Sequence, residues 1–250
     1  MNRIGFLAEA VENAGLCVTP STVKKLVNKF ALDVLVERNI GRGIGMNDSE
    51  FEEAGAQMVS REDVLHESDL LSFILSPEDD IQTLDNKVLV GMMNPLNPMT
   101  SLDQYLYRNI SVFSIDMVPR TSKAQAMDVL SSLSSIAGYK AVLKAADLYV
   151  SVFPMMSTAA GILKPARVLV LGAGVAGLQA IATAKRLGAK VEAFDVREAA
   201  AEQVESLGAK FIRVEGSLED AKAGGYAIEQ SAEYKMRQAE IAEKVVDSIL

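Results

Sequence analysis

The sequence of 250 residues has one cysteine, one histidine and no long apolar run. Cys17 cannot form an internal disulfide, which fits a reducing compartment, and we interpret it as a small buried side chain. His66 has acidic residues on both sides, a setting typical of a helix surface rather than of a metal ligand or a catalytic base. The sequence therefore predicts no metal site.

Signals for a membrane or for nucleic acid are equally scarce. The most apolar later segment, residues 148–163, is interrupted by Ser, Pro, Thr and Gly and is too short to span a bilayer. The first twelve residues lack the apolar core of a secretory signal. A net charge of −8 and a pI near 4.9 argue against a phosphate backbone as partner. We expect a soluble chain that does not insert into a membrane and does not bind nucleic acid.

The most informative stretch runs from residue 167 to residue 195 and reads RVLVLGAGVAGLQAIATAKRLGAKVEAFD. An apolar strand leads into the turn Gly172-Ala173-Gly174-Val175-Ala176-Gly177, and a helix and a second strand follow. The first glycine permits the tight turn, the second lets the backbone approach a diphosphate, and the third lets the helix lie close to the strand. The pattern predicts a dinucleotide site at this turn, with an empty strand-helix-strand unit as the alternative.

The residue at the end of the second strand bears on which dinucleotide is bound. The carboxylate of Asp195 can accept hydrogen bonds from the adenosine ribose and would repel a 2′-phosphate, which favours NAD(H) over NADP(H). We assign Val196 and Arg197 to the same end of the site. Arg197 weakens the preference, because a nearby arginine can accommodate a 2′-phosphate, although it also fits a solvated residue at a helix start.

Strand and helix patterns alternate along the whole chain, which predicts an α/β fold with parallel sheets. We expect two Rossmann-like domains joined by a long helix: an N-terminal α/β domain over residues 1–118, a helical linker over 119–163, and an NAD-binding Rossmann domain over 164–250. The last domain shows three strands, whereas a doubly wound domain needs more on the other side of the first strand. The sequence therefore predicts a truncated second domain.

The linker contains three polar residues at intervals of three, Gln125, Asp128 and Ser131. We expect a helix from Thr121 to about residue 148, which would place these side chains along one side. An amide, a carboxylate and a hydroxyl in a row could hold a carboxamide and a ribose. Alternatively, Ser122 and Gln125 form a capping box, which would occupy Gln125 with the backbone.

Two segments together point to a family, PRTSKAQAMDVLSSLSSIAGYKAV and the fingerprint stretch that continues to GAKF. They resemble the NAD(H)-binding component of the proton-translocating NAD(P) transhydrogenases, in the superfamily of alanine dehydrogenase, and the match is close from about residue 117 to residue 225. The resemblance implies that Arg120, Gln125, Asp128 and Ser131 surround the nicotinamide end of NAD(H). It also implies that Tyr226 belongs to a mobile loop that closes over the nucleotide.

The resemblance implies an activity and partners as well. NADH held by this chain would pass its hydride to NADP+ held on a partner component, coupled to proton movement through a membrane-spanning component. The resemblance also implies a homodimer, and a cytoplasmic position peripheral to the inner membrane through the partner subunits.

The sequence departs from the superfamily where keto-acid chemistry would need cations and an acid. The stretch AEAVENAGLCVTP has no basic residue, no lysine lies in residues 73–76, and residues 90–94 contain no histidine. Reductive amination of a keto acid needs a cation and a general acid, whereas hydride transfer between two nicotinamides needs only aligned rings and excluded water. The sequence thus favours the transhydrogenase. An alanine dehydrogenase-like NAD-dependent oxidoreductase and a non-catalytic truncated NAD-binding remnant stay open, and we expect the fragment alone to be inactive.

Overall fold

The computed structural model describes residues 2–9, 15–77, 80–97, 103–119, 121–214 and 231–247. The chain divides into two units, residues 1–129 and 130–250. Within the described residues, no helix combines the length and the apolar character needed to cross a bilayer.

The first unit is built on a six-stranded parallel sheet. Its strands are β1 (Arg3–Phe6), β2 (Asp33–Glu37), β3 (Gln57–Val59), β4 (Leu70–Leu75), β5 (Val88–Met92) and β6 (Ser111–Ser114). Its helices are α1 (Pro20–Phe30), α2 (Asp48–Glu53), α3 (Arg61–Glu67) and α4 (Asp103–Tyr107). The strand order is β3-β2-β1-β4-β5-β6, and all paired strands run parallel.

Apolar residues on both faces of this sheet explain its layered form. In β2 three consecutive residues, Val34, Leu35 and Val36, are almost fully buried, so helices cover both faces. Helix α1 begins with two residues that favour a helix start: Pro20 takes the first position, and the Thr19 side chain accepts a hydrogen bond from the N–H of Thr22. The order of the strands reverses between β1 and β4, and the carboxyl ends at such a switch point form a crevice.

The second unit contains a three-stranded parallel sheet and a hairpin. Its helices are α5 (Val129–Leu148, whose first residue belongs to the first unit), α6 (Val175–Arg186), α7 (Ala200–Ser206) and α8 (Ala232–Asp247). Its strands are β7 (Met156–Thr158), β8 (Gly161–Leu163), β9 (Arg167–Leu171), β10 (Lys190–Phe194) and β11 (Lys210–Phe211). The parallel sheet has the order β11-β10-β9, and β7 pairs antiparallel with β8.

Both sheets confirm the predicted α/β fold with two Rossmann-like parallel sheets. In the described part of the chain, β9 pairs along one edge only, as the three predicted strands imply. The hairpin lies within the segment predicted as a helical linker, and the sequence pattern does not predict it. All six of its strand residues are exposed.

The predicted helix from Thr121 is wrong over its first eight residues. Residues 121–124 form turns, Gln125–Met127 is one turn of 3-10 helix, and α5 begins only at Val129. Asp128 has ψ of 85°, which is incompatible with a continuous helix. Short polar side chains such as those of Thr121 and Ser122 compete for backbone hydrogen bonds and favour turns. The proposed capping box of Ser122 and Gln125 does not form, because the helical turn begins at Gln125, after Ala124, and not directly after Ser122.

Candidate nucleotide-binding site

The glycine-rich turn between β9 and α6 has the geometry that a diphosphate requires. Gly172 has φ of +94°, a left-handed conformation that favours glycine, and its N–H donates to the carbonyl of Phe194 at 2.8 Å. A Cβ at Gly172 or Gly174 would meet no atom within 4 Å, so the space over the turn is open. The turn thus leaves room for a ligand to approach its backbone.

The third glycine has a different role, because it is packed tightly. A Cβ at Gly177 would overlap the carbonyl oxygen of Gly172 and lie 2.8 Å from its carbonyl carbon. Only glycine therefore lets α6 lie this close to the end of β9. Helix α6 begins at Val175, directly after Gly174. Its first N–H groups have no intrahelical acceptor and therefore lie beside the open turn.

The side chains of the predicted turn differ in exposure. Ala173 is buried in the core of the second unit, whereas Val175 is 41% exposed. Ala176 contacts α5 through its backbone. The turn is therefore attached to the core through Ala173 and exposed to solvent at Val175.

Asp195 lies at the end of β10, and its carboxylate is buried against the turn. Its Oδ2 accepts hydrogen bonds from the N–H of Ala173 at 2.7 Å and from Nη2 of Arg197 at 2.9 Å. Its Oδ1 accepts from the N–H and from Nε of Arg197, both at 2.8 Å. Burial raises the pKa of Asp195, but the hydrogen bonds from Arg197 and Ala173 outweigh burial and lower the pKa below its ordinary value. The carboxylate is therefore charged at neutral pH.

Arg197 is paired with Asp195 rather than solvated. The hydrogen bond to Asp195 raises the pKa of the guanidinium, and the arginine side chain is 30% exposed. Ala173 and Arg197 together donate four hydrogen bonds to the Asp195 carboxylate, which has about four acceptor positions, so a ribose hydroxyl can bind it only by replacing a bond from Arg197. The alternative that Arg197 is only a solvated residue at a helix start is wrong, and sequence reasoning missed this pairing. Val196 packs against a small apolar cluster formed by Phe194, Val214 and Tyr234.

The structure does not align the predicted nicotinamide residues on one helix. Gln125 lies in the 3-10 turn and is exposed, Asp128 follows that turn, and Ser131 lies in the first turns of α5. The prediction of a single helical row is therefore wrong, because the chain changes conformation at Asp128. Arg120 and Tyr226 lie outside the described residues.

A cavity of about 160 Å³ lies at the switch point of the first unit. Arg61, which sequence reasoning missed, is the one cation among the described residues that line it. Its guanidinium donates to Glu37 at 2.8 Å, to Asp80 at 2.7 and 3.1 Å, and to the carbonyl of Ala8 at 3.1 Å. This cation is therefore already neutralised by two carboxylates.

The single cysteine and the single histidine do not form a reactive centre. Burial and the nearby charge of Glu9 raise the pKa of the Cys17 thiol to about 12, so the thiol stays protonated at neutral pH. His66 lies in the last turn of α3, as the sequence predicts for a helix residue. Among the described residues, no three His, Cys, Asp or Glu side chains come together as metal ligands.

Both parts of the chain match known proteins. Residues 8–137 match the model of the alanine dehydrogenase/PNT N-terminal domain, and residues 141–249 match that of its C-terminal domain. The first part of the NAD(P) transhydrogenase subunit alpha of Rhodospirillum rubrum is 43% identical over 235 residues, which are 90% of this chain. The chain spans 61% of the length of that relative.

Solved structures give the same result for the fold. The transhydrogenase of Sinorhizobium meliloti superposes with a TM-score of 0.84 at 39% identity, over 97% of this chain and 66% of the other. An L-alanine dehydrogenase superposes with a TM-score of 0.71 at 22% identity, over 84% of this chain and 60% of the other, which shows a shared fold alone.

Proposed function

The chain belongs to the alanine dehydrogenase/PNT family, and we propose that it forms the NAD(H)-binding part of a proton-translocating NAD(P) transhydrogenase. Its relatives include NAD(P) transhydrogenase alpha subunits, and its fold is that of nucleotide-binding oxidoreductases. We base this proposal on the glycine-rich turn and Asp195 in the second unit and on the pairing of Arg61 with two carboxylates in the first.

The observation that carries the proposal is the open glycine turn beside a charged aspartate. A Cβ at Gly172 or Gly174 would meet no protein atom within 4 Å, and Asp195 lies one hydrogen bond from the same turn. The backbone of residues 172–177 would hold the diphosphate, and Asp195 with Val196 and Arg197 would hold the adenosine end. These residues fit a dinucleotide, and the carboxylate at 195 favours NAD(H) over NADP(H).

The nicotinamide end is proposed to lie near Gln125, Asp128 and Ser131, with Arg120 and Tyr226 from the undescribed segments. When bound, the nicotinamide supplies the hydride. The chain itself has to orient the ring and exclude water, since transfer between two nicotinamides needs no protein acid or base. The amide, carboxylate and hydroxyl of the three described residues are suited to orienting a carboxamide and a ribose.

The partners follow from the same proposal. We propose that NADP(H) is held by a second component, that a membrane-spanning component carries the protons, and that this chain pairs as a homodimer. Its position would then be cytoplasmic and peripheral to the inner membrane through those subunits. Light scattering of the purified chain tests the dimer, and a monomer at micromolar concentration would contradict it.

The cavity in the first unit argues against an alanine dehydrogenase-like reaction. A keto acid needs a free cation for its carboxylate, but Arg61 already donates to Glu37 and Asp80. We therefore expect no oxidation of NADH when pyruvate and ammonium are added. Turnover that depends on both would revive the alternative function.

Titration of the chain with NADH, followed by nucleotide fluorescence, tests the binding part of the proposal. We expect saturable binding that Gly174→Ala weakens at least about tenfold, and a full-length relative serves as the positive control. A non-catalytic remnant would bind weakly or not at all. Failure of the wild-type chain to bind NADH at millimolar concentration would refute the proposal.

A second experiment tests hydride transfer. The chain is mixed with the NADP(H)-binding component of a relative and NADPH, and reduction of a spectroscopically distinct NAD+ analogue is recorded. We expect no transfer from either component alone and transfer from the mixture. If the mixture binds both nucleotides but transfers no hydride, the proposed activity is wrong and only nucleotide binding remains as a function of the chain.

A further inference from the structure

In the first half of α5 the buried and half-buried positions carry mostly small residues, whereas most of the large apolar residues there are exposed. The partly or fully buried positions follow helical spacing and include Ser131, Ser134, Ser135, Gly138, Val142 and Ala146. The exposed positions include Leu130, Leu133, Ile136 and Tyr139. Small residues on the inner side let the backbone of α5 approach its neighbour closely.

Gly138 marks the point of closest approach, and what it meets is the backbone of α6. A Cβ at this position would lie 2.9 Å from the carbonyl carbon of Ala176 and 3.1 Å from its Cα, and it would overlap the carbonyl oxygen. All three atoms belong to the first turn of α6, which a side-chain rotation cannot move. The two helices therefore touch backbone to backbone, in the manner of a Cα–H···O contact.

The contact continues into the glycine-rich turn. Ala176 is followed by Gly177, where a Cβ would overlap the carbonyl of Gly172. The N-terminal turn of α6 is thus held between α5 on one side and the end of β9 on the other. Glycine is required on both sides, and together the two contacts fix where the first N–H groups of α6 lie.

The same face of α5 carries Ser131. Seven residues separate Ser131 from Gly138, which is close to two helical turns, so the two positions lie on one side of α5 about 10 Å apart along its axis. Docking Gly138 against Ala176 therefore also fixes the distance between Ser131 and the glycine-rich turn.

We propose that Gly138 is a positioning residue for the dinucleotide site: its close approach to Ala176 fixes the diphosphate-binding N-terminus of α6 relative to Asp195 and Ser131. The inference rests on the proposed NAD(H) site and adds a residue that touches no part of the ligand. A methyl group at 138 has to displace α5 or α6 by up to about 1 Å, and a misplacement of that size can cost about 100-fold in a precisely oriented site.

The test compares Gly138→Ala with Gly43→Ala, a matched control. Gly43 lies in an exposed turn of the first unit, where a Cβ meets no atom within 4 Å. The affinities of wild type and both variants for ADP and for adenosine are measured by calorimetry, together with the thermal midpoint. We expect Gly138→Ala to weaken ADP at least about tenfold and adenosine less than about threefold, and Gly43→Ala to match the wild type.

The ratio of the two affinities separates positioning from general damage. Equal losses for ADP and adenosine, or an unchanged ADP affinity, would overturn the inference. If the wild-type chain binds neither ADP nor NADH, the proposed function fails and this inference falls with it. Wild-type binding with an unaffected Gly138→Ala variant overturns the inference alone.

A measurement on the wild-type chain covers the case in which Gly138→Ala does not fold. The backbone amide resonance of Gly138 is followed by NMR as ADP or adenosine is added. We expect ADP to shift the Gly138 resonance through α6 and adenosine to leave it unchanged, with Gly43 as the internal reference. A Gly138 resonance that stays in place at saturating ADP would overturn the inference.

Discussion

Oδ2 of Asp195 accepts a hydrogen bond from the backbone N–H of Ala173 at 2.7 Å. This bond ties the end of β10 to the turn that precedes α6, 22 residues earlier in the chain. The carboxylate that we propose as the ribose acceptor therefore also holds the diphosphate turn in shape. Binding and local stability depend on the same side chain.

Replacing Asp195 by Ala should weaken both. The N–H of Ala173, whose residue is 1% exposed, would lose its acceptor, and Arg197 would lose its partner. We expect the free energy of unfolding to fall by about 1–3 kcal/mol, the cost of leaving a buried donor unsatisfied. Urea unfolding measures the loss. Unchanged stability would show that the turn keeps its shape without Asp195.

The stability that Asp195 contributes should depend on pH with a defined sign. Its folded pKa is lowered, so the contribution is complete above the ordinary aspartate value of about 3.9 and disappears as the pH falls through the lower folded pKa. Other carboxylates titrate in the same range, so the measured quantity is the difference in unfolding free energy between wild type and Asp195→Ala. We expect a constant difference from about pH 5 to about pH 7 that shrinks below about pH 4. A difference that grows on acidification would contradict the assignment.

The two later glycines of the turn should respond differently to alanine. Gly177→Ala meets the carbonyl of Gly172 and should lower the thermal midpoint and abolish NADH binding. Gly174→Ala meets no protein atom within 4 Å, so it should leave the midpoint nearly unchanged while the methyl group obstructs the diphosphate. Scanning calorimetry and NADH titration separate the two effects. Equal affinity of Gly174→Ala and wild type would place the diphosphate elsewhere.

Arg197 should control the choice between NADH and NADPH. Its side chain donates to both oxygens of Asp195, so it screens the charge that would repel a 2′-phosphate. Arg197→Ala should therefore raise the ratio of the NADPH and NADH dissociation constants at least about tenfold, in fluorescence titrations. Arg213→Ala, which removes an arginine that is 55% exposed and bound to Glu198, is the control. An unchanged ratio would mean that Arg197 has no part in selectivity.

The strand-helix-strand unit of the fingerprint could be predicted because its signals are local. Gly172 and Gly177 take positions fixed by the turn that contains them, and β10 is the second strand that the pattern predicts, ending directly before Asp195. The capping of α1 by Thr19 and Pro20 is local in the same way. The conformation of such elements is determined by interactions among a few neighbouring residues, which can be read from the sequence.

Other features depend on contacts between distant residues. Nothing near Arg61 in the sequence indicates that it pairs with both Glu37 and Asp80, and nothing near Gly138 indicates the carbonyl of Ala176. The two residues between strands β7 and β8 are Ala-Ala, which is not one of the pairs common in hairpin turns, such as Asn-Gly. The sequence therefore does not predict this hairpin. Between residues 121 and 128, the Lys, Ala, Gln and Met residues favour a helix, whereas Thr121, Ser122 and Asp128 favour caps and turns, so the sequence pattern does not decide between the two.

The order of the first sheet has a consequence for how the molecule acquires its structure during synthesis. Strand β1 pairs with β2 on one edge, where Ile4 lies opposite Val34, and with β4 on the other, where Ile4 lies opposite Leu70. In a nascent chain β1 can pair with β2 early, but the second edge of β1 stays unpaired until β4 has left the ribosome. In that interval the unpaired edge of β1 can pair with strands of other chains. We therefore expect that formation of this sheet is the folding step most sensitive to the rate of translation and to chaperones.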